Sequence, residues 1–359
     1  MAAAFLILSF YSEVVAWVFA YVAKALAGSL LSADPAQTQA SFDALVTDPV
    51  QSLLWQWVVL AFIGSILLLG VTKGIEAVTK KLMPLLFLVL LLLCGYSLTL
   101  PGAGLALSFL FAPEWHKITP AVVLTAMGLA FFKLSIGMGT MMTYGSYFTA
   151  EQNIPATATR VMLADLSVSL LAGMAIFPAV FSFGFAPSAG PSLVFITIPA
   201  VFAQIPGGQV LLAAFFILTA IAATGAMLSI MEVPVVILHE RWGLARPRAT
   251  LLTLLILMLL GTGCALSQSL LAHIRPGGRT LFDWADYLSS NLLMPMGGIA
   301  IALFVGWAWG EQAFAAQLSN QGQLHNRALA RALCLLLRWV TPVLIGLVML
   351  AGLGVFGSA

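Results

Sequence analysis

The sequence predicts an all-α polytopic membrane protein, and two observations support that fold class. Of the 359 residues, 61% are hydrophobic and only 8% are charged, whereas ordinary soluble domains carry roughly 25% charged residues. Apolar runs long enough to cross a hydrocarbon core of about 30 Å also recur along the whole chain. A water-soluble chain of this composition could not cover its surface with polar side chains, so the lipid bilayer is its expected partner.

The apolar runs predict about nine transmembrane helices. A shorter segment, 193–204, is interrupted by Pro199, so we expect a helix that lies at the membrane surface or dips into it. The connection 28–53 holds three acids and no base, which predicts an external loop with a short helix. The nine spans lie near 2–27, 54–71, 82–100, 120–147, 161–183, 206–238, 249–271, 288–310 and 332–357.

Lysine and arginine in short loops predict the orientation, because they are enriched on the cytoplasmic side of a membrane. We therefore expect a plasma-membrane protein (the inner membrane of the cell) with a cytoplasmic N-terminus and an external C-terminus. The predicted cytoplasmic side carries Lys73, Lys80, Lys81, Arg160, Arg241, Arg246, Arg248, Arg327 and Arg331. The predicted external side carries Asp34, Asp43, Asp48, Lys117, Arg275 and Arg279.

Motifs of enzymes do not occur in this sequence: there is no HExxH, GxSxG, Walker A loop or CxxC. Cys94, Cys264 and Cys334 lie in separate apolar runs, which predicts packing residues rather than a disulfide or metal site. A net charge of +2 gives no reason to expect a nucleic-acid partner. Transport, conduction and scaffolding remain as functional classes, although no ring of charges or filter-like repeat indicates a channel.

The segment FFKLSIGMGTMMTYGSY, residues 131–147, carries Lys133, Ser135, Gly137 and Gly139 inside a predicted span. Transporters break helices at mid-membrane, where the freed backbone groups bind an ion and a substrate. On periodicity alone, a continuous span packed closely against a neighbour stays an open alternative. The lysine favours the broken helix, because a charge at this depth costs at least about 2.5 kcal/mol unless it faces a cavity or a partner.

This segment resembles the sixth, unwound helix of the neurotransmitter:sodium symporter family, in particular its bacterial amino-acid transporters. The resemblance implies a leucine-transporter-like fold of two inverted five-helix repeats within one domain, 1–359. Residues 1–100 would be the remnant of the first repeat, 118–310 the second, and 332–357 an additional C-terminal helix resembling the eleventh. Further segments resemble the third helix (LSFYSEVVAWVFAY, 8–21), the seventh (DLSVSLLAGMAIFPAVFSFG, 165–184), the eighth (FFILTAIAATGAMLSIMEVPV, 215–235) and the tenth (LFDWADYLSSNLLMPMGG, 281–298).

The resemblance also implies a binding site for a small neutral amino acid. Tyr11 would meet the substrate carboxylate, Phe132 would be the lid, and Asp286 would be the external gate. The remaining substrate residues would be Ile7, Ser135, Met138 and Ile230. Packing roles stay open for Tyr11, Phe132, Met138 and Ile230, as does simple solvation for Asp286. Glu13 has no role in the resemblance and is either the partner of a buried cation or part of a wet cleft.

Two departures from the family pattern concern sodium, the coupling ion that the resemblance implies. Lys133 stands where the family has a hydroxyl that ligates the first sodium ion, and a charged lysine offers no lone pair. The Thr-Ser pair that ligates the second ion aligns with Gly225 and Ala226, so only Ala222 and Gly225 carbonyls and the Thr224 hydroxyl remain. Both sites are expected to be weak. Asp165 lies near the region that governs chloride dependence, which stays undecided.

The family's first helix, with a glycine-asparagine motif and a Trp-Arg-Phe-Pro run, has no counterpart in this sequence, which begins at the segment resembling the third helix. Four functional hypotheses follow. The chain is a sodium-coupled symporter of small neutral amino acids, or it is a truncated, transport-inactive relative or the product of a misplaced start codon. A remoter alternative is a sodium-independent transporter in which the charge of Lys133 replaces a sodium ion and could cycle a proton. The oligomeric state is left open.

Overall fold

A computed structural model describes residues 1–30, 32–70, 75–149, 152–185, 190–320 and 322–355. Lys73 and the end of the predicted final span lie outside the described residues. The helices within the described ranges are α1 (Ala2–Leu26), α2 (Pro35–Thr47), α3 (Pro49–Leu68), α4 (Ala77–Ser97), α5 (Ala103–Phe111), α6 (Pro120–Lys133), α7 (Thr140–Gly145), α8 (Ile154–Ser182), α9 (Ile198–Phe202), α10 (Gly208–Glu240), α11 (Arg246–Ala265), α12 (Leu281–Leu288), α13 (Met294–Leu303), α14 (Gly310–Leu318), α15 (Arg327–Leu335) and α16 (Thr341–Gly352).

Eight helical rods in the described part of the chain are long and apolar enough to cross a membrane. Wide, π-helical turns at Ser289–Leu293 and Phe304–Trp309 join α12, α13 and α14 into one rod. A third such turn, Leu336–Val340, joins α15 to α16. The remaining predicted span, 120–147, is not a continuous helix, because it divides into α6 and α7.

The predicted external connection contains a helix, α2, which begins after Asp34 because that side chain accepts a hydrogen bond from the Ala36 N–H. The short apolar segment 193–202 is also helical. Phe42 of α2 and Phe195 of this segment stack with ring centroids 5.1 Å apart. Trp17 of α1 meets both rings edge-on. This aromatic cluster fixes the two short helices over one end of α1.

α1 is the central element of the packed core. It contacts α3, α10, α11 and α12, and it places residues in both large hydrophobic clusters. The three cysteines are free and buried, as packing residues would be.

Candidate functional site

The break between α6 and α7 has a defined backbone geometry. α6 ends at Lys133 and α7 begins at Thr140. Between them, φ is 55° at Ser135, 86° at Gly137 and 95° at Gly139. These left-handed values cannot continue a helix, and they cost a residue with a side chain about 1–2 kcal/mol. The glycines therefore permit the break, and Ser135 carries its strain.

The break packs backbone against backbone on the start of α13. A Cβ atom added to Gly137 would lie 2.1 Å from the carbonyl oxygen of Met294. A Cβ atom added to Gly297 would lie 2.2 Å from the carbonyl oxygen of Gly137. Both distances are shorter than any real contact, so each side of this crossing requires glycine. The contact holds the unwound segment against the α12–α14 rod.

Three of the predicted substrate residues converge in one buried cluster. Ile7 of α1, Met138 of the break and Ile230 of α10 are 1%, 4% and 8% exposed and belong to the same hydrophobic cluster. Tyr11 is partly buried and packs against it. The unwound segment thus meets the helices that the resemblance places around the substrate. This arrangement also suits ordinary core packing, so the binding roles of these residues stay predictions.

Phe132 and Asp286 lie elsewhere, in the wall of a cavity of about 1260 Å³ bounded by α6, the α12–α13 region and α16. Phe132 is exposed in this cavity. The Asp286 carboxylate accepts a hydrogen bond from the Ser290 hydroxyl at 2.9 Å. The cavity lining does not include the buried cluster residues Ile7 or Met138. The predicted site residues therefore form two groups, one in the buried cluster and one in this cavity, and the two regions meet at Met294 and Phe131.

Lys133 has partners on α8 that the sequence did not predict. Its ammonium nitrogen lies 3.3 Å from the carboxylate of Asp165 and donates a hydrogen bond to the Ser169 hydroxyl. The Ser169 hydroxyl in turn donates to the backbone carbonyl of Asp165 at 2.6 Å. In the sequence, the indication of this pair was an acid in one apolar span and a lysine in another, since such charges tend to pair within a membrane. Lys133 is therefore a paired cation at the end of α6.

The predicted sodium ligands of α10 give an incomplete set of oxygens. Ala222, Thr224 and Gly225 all lie inside the continuous helix Gly208–Glu240. The Thr224 hydroxyl is buried and donates to the Ala220 carbonyl at 2.7 Å, which leaves its lone pairs free. The Gly225 carbonyl accepts a hydrogen bond from Ser229 at 3.0 Å. A sodium ion held here would need several further oxygens from outside this helix.

A second ionic network ties the residues just after α7 to α10 and α11, and the sequence analysis did not predict it. The Glu232 carboxylate is fully buried and accepts two hydrogen bonds from Arg246, both at 2.7 Å. The Tyr147 hydroxyl donates to the same carboxylate at 2.6 Å. Because two donor groups give it three hydrogen bonds and one of them is a cation, this acid can remain charged in the core. In the sequence, the one indication of this network was an acid, Glu232, within the apolar run that forms α10.

Comparison with known proteins identifies the family. The model of the Sodium:neurotransmitter symporter family matches residues 47–358. The chain belongs to this family. An uncharacterized sodium-dependent transporter of Bacillus subtilis (strain 168), YhdH, is 39% identical over 355 residues, which cover 99% of this chain and 78% of that protein. An uncharacterized sodium-dependent transporter of Haemophilus influenzae is 33% identical over 315 residues, 86% of this chain and 69% of that protein.

A crystal structure of a further relative shows the fold. MhsT, solved in complex with L-phenylalanine, is 38% identical and superposes with a TM-score of 0.87 over 98% of this symporter chain and 79% of MhsT. The leucine-transporter-like helical fold and the symporter family predicted from the sequence are thereby confirmed. The symporter is a multi-pass membrane protein from a family of sodium-dependent transporters, and its relatives are transporters rather than enzymes.

Proposed function

We propose that this symporter chain moves a small neutral amino acid together with sodium across the plasma membrane. The break at 134–139 carries the proposal, because its freed backbone groups lie beside an apolar cluster built from α1 and α10. The L-phenylalanine bound to MhsT supports an amino-acid substrate. We assign the cytoplasmic side to the N-terminus and the external side to the C-terminus.

Each predicted residue receives a role in this proposal. The Tyr11 hydroxyl and Ser135 contact the polar end of the amino acid, while Ile7, Met138 and Ile230 surround its side chain. Phe132 and Asp286 act on the external side, in the cavity that they share. Sodium binds at Ala222, Thr224 and Gly225 with oxygens from other segments, and it favours the states that bind the amino acid.

Uptake into liposomes tests the proposal. The purified chain is reconstituted and given labelled neutral amino acids with and without an inward sodium gradient, and gradient-driven accumulation is the expected result. Phe132→Ala should lower uptake about tenfold, because losing an aromatic contact of about 1.4 kcal/mol weakens binding by that factor. Phe62→Ala is the matched control, because Phe62 is exposed on α3. A folded protein that accumulates no amino acid would instead support the transport-inactive hypothesis.

A second candidate, coupling without the first sodium ion, is favoured by the contact between Lys133 and Asp165. The ammonium supplies a positive charge at the position where the resemblance implies that ion. Lys133→Met should then remove uptake or make it depend more steeply on sodium concentration. Lys80→Met is the matched control, because Lys80 forms an exposed ion pair with Glu76. Unchanged uptake with unchanged ion dependence in Lys133→Met contradicts this candidate.

A further inference from the structure

Glu13 is a buried acid that the proposed transport mechanism does not use. It lies in the middle of α1 and is 1% exposed. The Trp17 indole N–H donates to its Oε1 atom at 2.7 Å, whereas Oε2 has no hydrogen-bond partner among the described residues. No lysine, arginine or histidine in the described part of the chain lies within ion-pair distance of it. Glu13 is therefore neither paired with a cation nor in a wet cleft, contrary to both expectations.

The contact between α1 and α3 has fewer hydrogen-bond donors than its buried oxygens require. The Ser52 hydroxyl of α3 faces the Glu13 carboxylate, but its single proton is donated to the Leu45 carbonyl at 3.2 Å. One turn further along α3, the Gln56 amide donates to Ser12 and to the Gly261 carbonyl, both at 3.1 Å, and its oxygen has no donor in the part of the chain that the structure describes. Buried oxygens without donors are costly, and a proton bound to Glu13 would remove this cost at its Oε2 atom.

Neighbouring ionisable groups do not supply a compensating positive charge. α3 has no ionisable side chain. In the described structure, Cys264 of α11 lies near Glu13, and its thiol donates to the Ser9 hydroxyl at 3.7 Å. Lys24 of α1 is directed to the Ser41 carbonyl, and Arg246 is held by Glu232. The other ionisable side chains of α1 and of the helices packed on it are Tyr11, Tyr21, His239, Glu240, Arg248, Asp283, Asp286 and Tyr287.

We propose that Glu13 is a proton-binding site that joins α1 to α3. The bound proton sits on Oε2 and is donated to the Ser52 oxygen, while Oε1 accepts from Trp17. This arrangement removes the charge of the buried acid and satisfies both of its oxygens. The site is independent of the substrate that the chain carries.

Infrared spectroscopy of the full chain in lipid nanodiscs at neutral pH tests the site. A protonated carboxylic acid gives a carbonyl stretching band that shifts in heavy water, and we expect such a band in the wild type. Glu13→Gln should remove it. Glu232→Gln should leave it in place, because Glu232 is equally buried but paired with Arg246. A wild type without the band, or a folded Glu13→Gln protein that keeps it, overturns the proposal.

Ser52→Ala provides a second variant that keeps the acid and removes the proposed acceptor of its proton. Loss of that hydrogen bond should move the band to higher frequency in a protein that still elutes as a folded species. A band at the same frequency in wild type and Ser52→Ala overturns the assignment of the proton to this contact. Because this measurement follows the carboxyl group directly, its outcome is separate from whether the protein transports an amino acid.

Discussion

Gly137→Ala is the substitution that tests the helix break most directly. Gly137 combines two constraints, a φ of 86° and a carbonyl oxygen of Met294 only 2.1 Å from the position of an added Cβ atom. Alanine must therefore either adopt the left-handed conformation or push the α13 backbone away. Because the obstacle is backbone rather than a flexible side chain, no rotamer change can relieve it.

The magnitude follows from the two constraints. The left-handed conformation costs alanine about 1–2 kcal/mol, and overpacking a well-filled contact costs about 1–3 kcal/mol. We expect Gly137→Ala to lower the free energy of unfolding by about 2–5 kcal/mol. Two variants separate the contributions. Gly139→Ala retains the backbone cost, with φ 95° and a nearest contact of 3.3 Å to Val233. Gly297→Ala isolates the steric cost, because its added Cβ would lie 2.2 Å from the Gly137 carbonyl oxygen.

Denaturant unfolding of the purified chain in one detergent, followed by intrinsic fluorescence, provides the comparison. Gly95→Ala in α4 is the matched control, because no atom of the described residues lies within 4 Å of its added Cβ and alanine is favoured over glycine in a helix interior by about 0.5–1 kcal/mol. The expected order of stability is Gly95→Ala highest, then Gly139→Ala, then Gly137→Ala. If Gly137→Ala unfolds at the same denaturant concentration as Gly95→Ala, the described break does not exist in the protein.

Three further substitutions have defined outcomes. Arg246→Met should lower the free energy of unfolding by about 3–5 kcal/mol in the same assay, because it leaves the fully buried Glu232 carboxylate without its cation. Recovery of stability when Glu232→Gln is added to Arg246→Met supports this reason, whereas an unchanged unfolding midpoint in Arg246→Met refutes it. Tyr147→Phe should cost less, about 1.5–3 kcal/mol for one hydrogen bond to a charged group, and a loss larger than that of Arg246→Met would contradict the assignment. The backbone N–H of Gln51, and to a smaller extent its side-chain amide, hold the pKa of Asp48 below its usual value. Asp48 therefore stabilises α3 fully at a pH above that usual pKa, and this stabilisation disappears as the pH falls through the lowered pKa. Thermal melts of wild type and Asp48→Ala should therefore differ at neutral pH and converge in acid, and a constant difference would refute the capping role.

Several features of the fold were predictable because they depend on local composition. The membrane class and the position of most spans follow from runs of apolar residues, since only a helix satisfies its backbone within lipid. The helix break was also predictable, because Gly137 and Gly139 are inexpensive in left-handed conformations and Lys133 is costly in an uninterrupted span.

The candidate site was predictable only in part. The resemblance named Ile7, Met138 and Ile230, which do share one cluster. It did not reveal that Phe132 and Asp286 line a cavity beside that cluster rather than belonging to it, because a sequence pattern does not fix the distance between residues on separate helices.

The sequence by itself determined that this chain is a helical membrane protein and to which family it belongs. It also determined that the segment resembling the sixth helix of that family is interrupted. Tertiary structure alone decided the partners of the charged side chains within its apolar helices. Lys133 meets Asp165 and Glu232 meets Arg246, whereas Glu13 meets no cation among the described residues. The physical reason is that the ionic state of a buried group depends on what lies within a few ångströms of it, and helix packing brings together residues that are far apart in the chain.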